Sequence, residues 1–181
     1  MPHYRTHSLL PFLFTFGAFT GLNAQAAAPD LSDPEVAHVA VTANSIDIEL
    51  ARFAQSRIRN EAVRKFATTM VTDHSAVNEQ AAALASRLGI TPQDNAVSQS
   101  LSKGATEART ALERPRGPAF DRAYLDREVG YHQAVLDALD GLLIPTTSNA
   151  ELKKLLVDVR PAFAAHLAHA KKLQASLVAG K

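Results

Sequence analysis

The sequence predicts an all-α domain, a four-helix bundle with an extra connecting helix between its second and third long helices. Three observations lead there. Apolar residues recur at steps of three and four through four long segments. Alanine is abundant and alternating β-branched runs are absent. Short links join the first long segment to the second and the third to the fourth, as antiparallel neighbours require.

Residues 1–28 are expected to lie outside that fold. A polar start with Arg5 is followed by an apolar run, Leu9 to Leu22, and then by small residues around Ala24-Gln25-Ala26-Ala27-Ala28. This three-part form is that of a secretory signal, with cleavage after Ala26 or Ala28. The run of about 14 residues is short of the ~20 needed to span a bilayer, which weighs against a retained anchor. The mature chain, 29–181, has the length of one domain and enough residues for a core without staples. Its expected place is periplasmic or secreted, with no transmembrane segment after cleavage.

The first helix opens at Ser32-Asp33-Pro34-Glu35. Ser32 and Glu35 have capping-box spacing, and Pro34 suits a first turn. Its inward stripe runs Val36, Val39/Ala40, Ala43, Ile46, Leu50, Phe53/Ala54 and Ile58, with Asp47 at the border. The second helix spans about Glu61 to Leu88 with the stripe Val63, Phe66/Ala67, Met70, His74, Val77, Ala81, Leu84 and Leu88. Asp73 sits at its edge, and Gly89 is a conventional stop.

Residues 90–117 form a long connection. Thr91-Pro92 could start a short helix, and Val97, Leu101, Ala105, Ala108 and Leu112 make a weak stripe interrupted by Gly104. Such a segment can traverse the length of a bundle, which permits a ferritin-like crossover. The third helix, about Pro118 to Leu143, carries Phe120, Tyr124/Leu125, Glu128/Val129, His132, Val135/Leu136, Leu139 and Leu142/Leu143. Ser148 with Glu151 is expected to cap the fourth. Its stripe is Leu152, Leu155/Leu156, Val159, Phe163, His166, Ala170, Leu173 and Leu177, with a kink expected at Pro161.

Composition narrows the function. Without Arg5, the 18 remaining Lys and Arg equal the 18 Asp and Glu, and such a balance argues against nucleic acid as the main partner, because phosphate binding needs a basic excess. With no Trp and 3 Tyr there is little surface for stacking bases or sugars, and with no Cys there are no disulfides and no thiolate ligands. No phosphate loop or nucleophile elbow is present.

What remains is a constellation. Of 7 His, His3 and His7 fall in the leader, while His74, His132 and His166 each lie near mid-helix on an inward stripe. Asp47 lies at matching depth on the remaining long helix, and in a bundle such positions share one layer. Imidazole nitrogen and carboxylate oxygen suit Zn, Fe, Mn, Ni or Cu, so three His and one Asp make a sufficient shell for one ion. Asp73 and Glu128 are candidates for outer partners of the histidines or for additional ligands. His169 could rotate inward; His38 is expected to be exposed and far from the layer. The competing reading is a hydrogen-bonded polar core in a structural or interaction module of the cell envelope, whose partner would be another envelope protein. A di-iron carboxylate site is a poor fit, because that site needs Glu-x-x-His and this chain has Glu128-x-x-x-His132. An enzyme is not indicated. Buried neutral histidines predict that acid destabilises the domain.

Several segments together carry a resemblance. These are Ser45-Ile46-Asp47-Ile48-Glu49-Leu50-Ala51, the run Phe66 to His74, Phe120-Asp121-Arg122-Ala123-Tyr124-Leu125 with His132, and Pro161 ahead of His166-Leu167. In this order, over about residues 34–177, they resemble the bacterial envelope family catalogued as domain of unknown function 4142. The resemblance implies an exported, ferritin-like helical bundle. It matches His74, His132 and His166 to the family's recurrent histidines and Asp47 to a position that is usually Glu, a departure that weighs against a bridging role. Storage, sensing or protection against metal or oxidative stress are the roles such a protein would suit.

Overall fold

The computed structural model describes residues 29–179, and within them every regular element is a helix. The expected leader, its cleavage site, His3, His7 and Lys181 lie outside the described residues. The elements are α1 (Asp33–Gln55), α2 (Glu61–Leu88), α3 (Ala96–Leu112), α4 (Pro118–Ala138) and α5 (Ala150–Ala179). Among the described residues no helix is long and apolar enough to cross a membrane.

Local chemistry sets the boundaries. The Glu35 carboxylate reaches back to the Ser32 backbone N–H at 2.9 Å and opens α1. Asn60 accepts the Ala62 and Val63 N–H groups at the start of α2. Gly89 ends α2 with φ +65°, and Ile90 N–H returns to the Ala85 carbonyl. The connecting helix does not start at Thr91-Pro92. Asn95 caps it through the Val97 and Ser98 N–H groups, and it runs unbroken through Gly104. The cap of α5 is Asn149 rather than Ser148: its side-chain oxygen takes the Glu151 and Leu152 N–H groups. Ser148 instead gives its N–H to Asp33 at 2.8 Å, and Glu151 pairs with Arg87.

The predicted third helix is also modified. After Ala138 the chain widens into a π turn, Leu139–Leu143, and closes with one α-helical turn, Ile144–Thr146. Pro145 explains this. It has no N–H to give Gly141 and its ring crowds the preceding turn, so Ile144 bonds to Leu139 five residues back. In α5 the helix continues through Pro161, and the residue whose carbonyl loses its partner, Val157, is 47% exposed and open to water.

Two acidic residues tie the ends. Asp121, at the start of α4, accepts the Arg59 and Asn60 N–H groups at 2.9 and 2.8 Å and so holds the α1–α2 turn. Asp33, at the start of α1, does the same for the α4–α5 turn through Ser148 and Asn149 at 2.8 and 3.0 Å. The helix pairs α1–α2 and α4–α5 thus clasp each other from opposite ends. α3 starts beside α1's first turn, where Asn95 bonds the Glu35 carbonyl. It ends beside α1's last turn, where Arg109 lies over Phe53. It therefore traverses the full length, and α4 then runs antiparallel to α1.

Two apolar clusters fill the interior. One joins Phe53, Ile58, Phe66, Met70, Leu112, Phe120, Tyr124 and Leu125. The other joins Val36, Val39, Leu136, Leu139, Leu152, Leu156, Val159 and Phe163. Burying one such side chain contributes ~1.5–3 kcal/mol. The second half of α2 departs from expectation: after His74 none of its side chains is fully buried, and Val77, Ala81, Leu84 and Leu88 are half-exposed. Between the two clusters lies a polar layer.

Candidate metal centre

That layer holds Asn44 and Asp47 from α1, His74 from α2, Glu128 and His132 from α4, and His166 from α5, all buried. The three imidazoles form a nearly equilateral triangle with ring centroids 5.4, 5.4 and 5.5 Å apart. One nitrogen from each lies within 4.8 Å of the others, and Asp47, Glu128 and His132 form a second such group.

Each ring has one nitrogen tied outward. His74 Nδ1 is 2.6 Å from Asn44 Oδ1, and the Asn44 amide N–H groups are oriented by the Ala40 carbonyl at 3.0 Å. Asn44 therefore presents an acceptor, and the His74 proton sits on Nδ1. His132 Nδ1 is 3.1 Å from the Glu128 backbone carbonyl, which likewise requires a proton there. His166 Nε2 donates to Asp73 at 2.9 Å. The remaining nitrogens, His74 Nε2, His132 Nε2 and His166 Nδ1, then turn lone pairs inward. His74 Nε2 stands 3.4 Å from His132 Nε2 and 3.2 Å from Asp47 Oδ2. Asp47 Oδ2 and His166 Nδ1 have no hydrogen-bond partner although both are buried. Phe163 stacks on His74 at 5.0 Å and 10°, holding the ring plane.

Acceptors facing acceptors at these distances repel unless a cation lies among them. Metal-ligating histidines have this arrangement, with the outer N–H bound to an oxygen and the inner nitrogen free. Zn–N bonds of ~2.0–2.1 Å set the ligand-to-ligand edge of a tetrahedron at roughly 3.3 Å, close to the spacings of His74 Nε2 to His132 and Asp47.

The electrostatics run the same way. Burial pushes the His74 imidazole down to about 4, against the pull of Asp47, so the ring is neutral near pH 7. His132 is lowered for the same reason. Burial would raise Asp47, but the Arg127 charge outweighs it and keeps the carboxylate ionised. Glu128 goes the other way. Burial and the Asp47 charge raise it to about 8 despite Arg127, so the two carboxyl groups share one guanidinium and Glu128 retains a proton at neutral pH. Arg127 Nη1 bonds Glu128 Oε1 at 2.6 Å and also bonds Asp47 Oδ1, while its guanidinium lies 3.9 Å over the Tyr131 ring. The Tyr131 hydroxyl donates to the Ala43 carbonyl at 2.7 Å.

The structure thus brings together His74, His132 and His166, sets Asp47 against His74 and Asp73 behind His166, and groups Glu128 with Asp47 and His132, 3.5 Å from His132 Nδ1. His169 is exposed, edge-on to Phe66, and stays out of the layer. His38 is distant from it but half-buried rather than exposed, with Asp94 at 3.7 Å. Sequence reasoning missed Asn44, Arg127 and Tyr131. Asn44, three before Asp47 on the same helix face, was the available signal for the first. Arg127, four before Tyr131, was the signal for the pair.

Fold and site define an all-helical protein with a buried histidine–carboxylate cluster in its interior. The chain belongs to the family described as Domain of unknown function (DUF4142), whose model matches residues 20–173. Comparison with curated proteins and with solved structures gives no match.

Proposed function

We propose that this is an exported ferritin-like four-helix bundle that binds one transition-metal ion through His74, His132, His166 and Asp47. The observation that carries the reading is the set of inward lone pairs. Three histidines have their outer N–H groups committed to Asn44, Glu128 and Asp73, and no donor stands among the inner nitrogens and Asp47 Oδ2. The bundle reading is supported by the path of the chain: two antiparallel helix pairs joined by a helix that crosses the full length. Export is supported by the signal-like segment that precedes residue 29.

In this reading Arg127 neutralises the Asp47 charge, and the protonated Glu128 is a reserve ligand beside His132. The bound ion would supply Lewis acidity or redox capacity. The residues described here hold and orient; none is positioned as a nucleophile. Metal storage, sensing or protection in the envelope is the role we favour over an enzymatic one.

Cobalt(II) titration of the metal-free mature protein tests it. Visible bands of a low-coordinate nitrogen–oxygen site should grow in and saturate at about one equivalent, and His132→Ala should abolish them. A wild type that shows only the spectrum of hydrated cobalt would leave a hydrogen-bonded core and a structural role.

A further inference from the structure

Beside the histidine layer lies a cavity of about 500 Å³, in the half of the molecule where α2 fails to bury its stripe. Its walls come from all five helices. Val77, Ala81 and Leu84 of α2 face Val97 and Leu101 of α3, Leu139 and Leu142 of the π turn, and Leu155 of α5. Protein interiors pack with few voids larger than a water, and apolar cavities of even ~150 Å³ take up apolar molecules. A space of this size is in the range of ligand pockets, roughly 300–1,000 Å³.

The lining specifies chemistry. No Lys, Arg, Asp or Glu contributes to it, so a charged group does not bind inside. The walls are aliphatic along most of their extent and aromatic only at Tyr131, at His74 and at Phe163, which stacks on His74. Among them lies one polar atom without a partner, the buried Asn78 Oδ1, whose amide nitrogen is held by Ser45. Exposed lining residues, Ala82 and Ser86 of α2 with Thr91 and Pro92, mark the way out to solvent.

We propose that the cavity binds a long aliphatic chain, with the charged head of the molecule left at the solvent-exposed rim. A free fatty acid and the acyl chain of a phospholipid share this chemistry. The half-buried state of Val77, Ala81, Leu84 and Leu88 then follows: Val77 and Leu84 touch the core, and the part of each side chain that lines the cavity is covered by the ligand.

Binding of cis-parinaric acid, a fluorescent polyene fatty acid, tests this in the full mature protein with chelator present, so that the outcome does not depend on the metal centre. The wild type should give saturable enhancement at about one equivalent. Ala81→Phe and Ala138→Phe, which fill the cavity from α2 and α4, should each lower affinity at least tenfold while the thermal midpoint stays level or rises. The midpoint separates a blocked cavity from a failed fold. Leu84→Ala, which enlarges the cavity, should retain binding. Displacement by palmitate alone assigns free fatty acid, and displacement by lysophosphatidylcholine as well assigns a lipid acyl chain. No saturable binding by the wild type, or equal binding by both stable Phe variants, overturns the proposal.

Discussion

Acidifying the metal-free protein sets two buried groups against each other. His74 titrates near 4 in the fold and at 6.5 when exposed, so the unfolded chain takes up its proton first. The stability it contributes is complete above pH 6.5 and is lost as the pH falls toward 4. At about 1.4 kcal/mol per unit, some 2 kcal/mol is gone by pH 5, and His132 adds a loss in the same direction. Glu128 is raised from 4.5 to about 8, so its contribution is complete below 4.5 and is lost as the pH rises toward 8. The two effects are comparable and opposite. The wild type should therefore show a shallow stability profile between pH 7.5 and 5, where the histidines alone would make it steep. Glu128→Gln keeps the shape and the acceptor for Arg127 but removes the opposing titration. For a domain of this size ~2 kcal/mol corresponds to a Tm decrease of about 4–8 °C. Thermal unfolding followed by circular dichroism across this range, with chelator, reads it directly. A level Tm in Glu128→Gln refutes the burial of neutral histidines. A wild type as steep as the variant refutes the protonated Glu128.

Three further outcomes follow from named contacts. Asn44→Ala removes the acceptor that fixes the His74 proton on Nδ1 and should weaken zinc binding about 10–100-fold, measured by competition with a chromophoric chelator. Arg127→Met leaves Asp47 and Glu128 without their shared cation; urea unfolding should show a loss of ~3–5 kcal/mol, part of which Asp47→Asn restores in the double variant. Asp121→Ala strips the acceptor from Arg59 and Asn60 N–H and should cost about 2 kcal/mol by the same assay, with metal affinity unchanged.

The helices were legible because apolar spacing is a local property: the stripes through Val36 to Phe53, Val63 to Met70 and Leu152 to Leu173 are the buried faces. The histidines were legible because a stripe position occupied by a polar residue is visible in one chain segment. The rest depended on partners far apart in sequence. Arg127 reads as an ordinary surface cation until Asp47, 80 residues away, accepts its charge. Ser148 and Asn149 are equally good caps by type, and only Asp33, which takes both of their backbone N–H groups, turns Asn149 into the one that caps α5. The stripe from Val77 to Leu88 is apolar at helical spacing, yet spacing does not say whether a helix or a cavity lies opposite. Asp121, one of the residues that carry the family resemblance, works as a clasp of the fold and not as part of the metal centre.

Whether the histidine layer holds an ion is decided by the metal content of the protein itself. The mature protein, exported in its native compartment and purified without chelator or a histidine tag, would be compared with His132→Ala by elemental analysis. About one equivalent of a single transition metal is expected in the wild type, and its loss in the variant. No metal in either protein, with no stabilisation of the wild type by added Zn, Mn, Fe or Cu, would contradict the proposed metal centre.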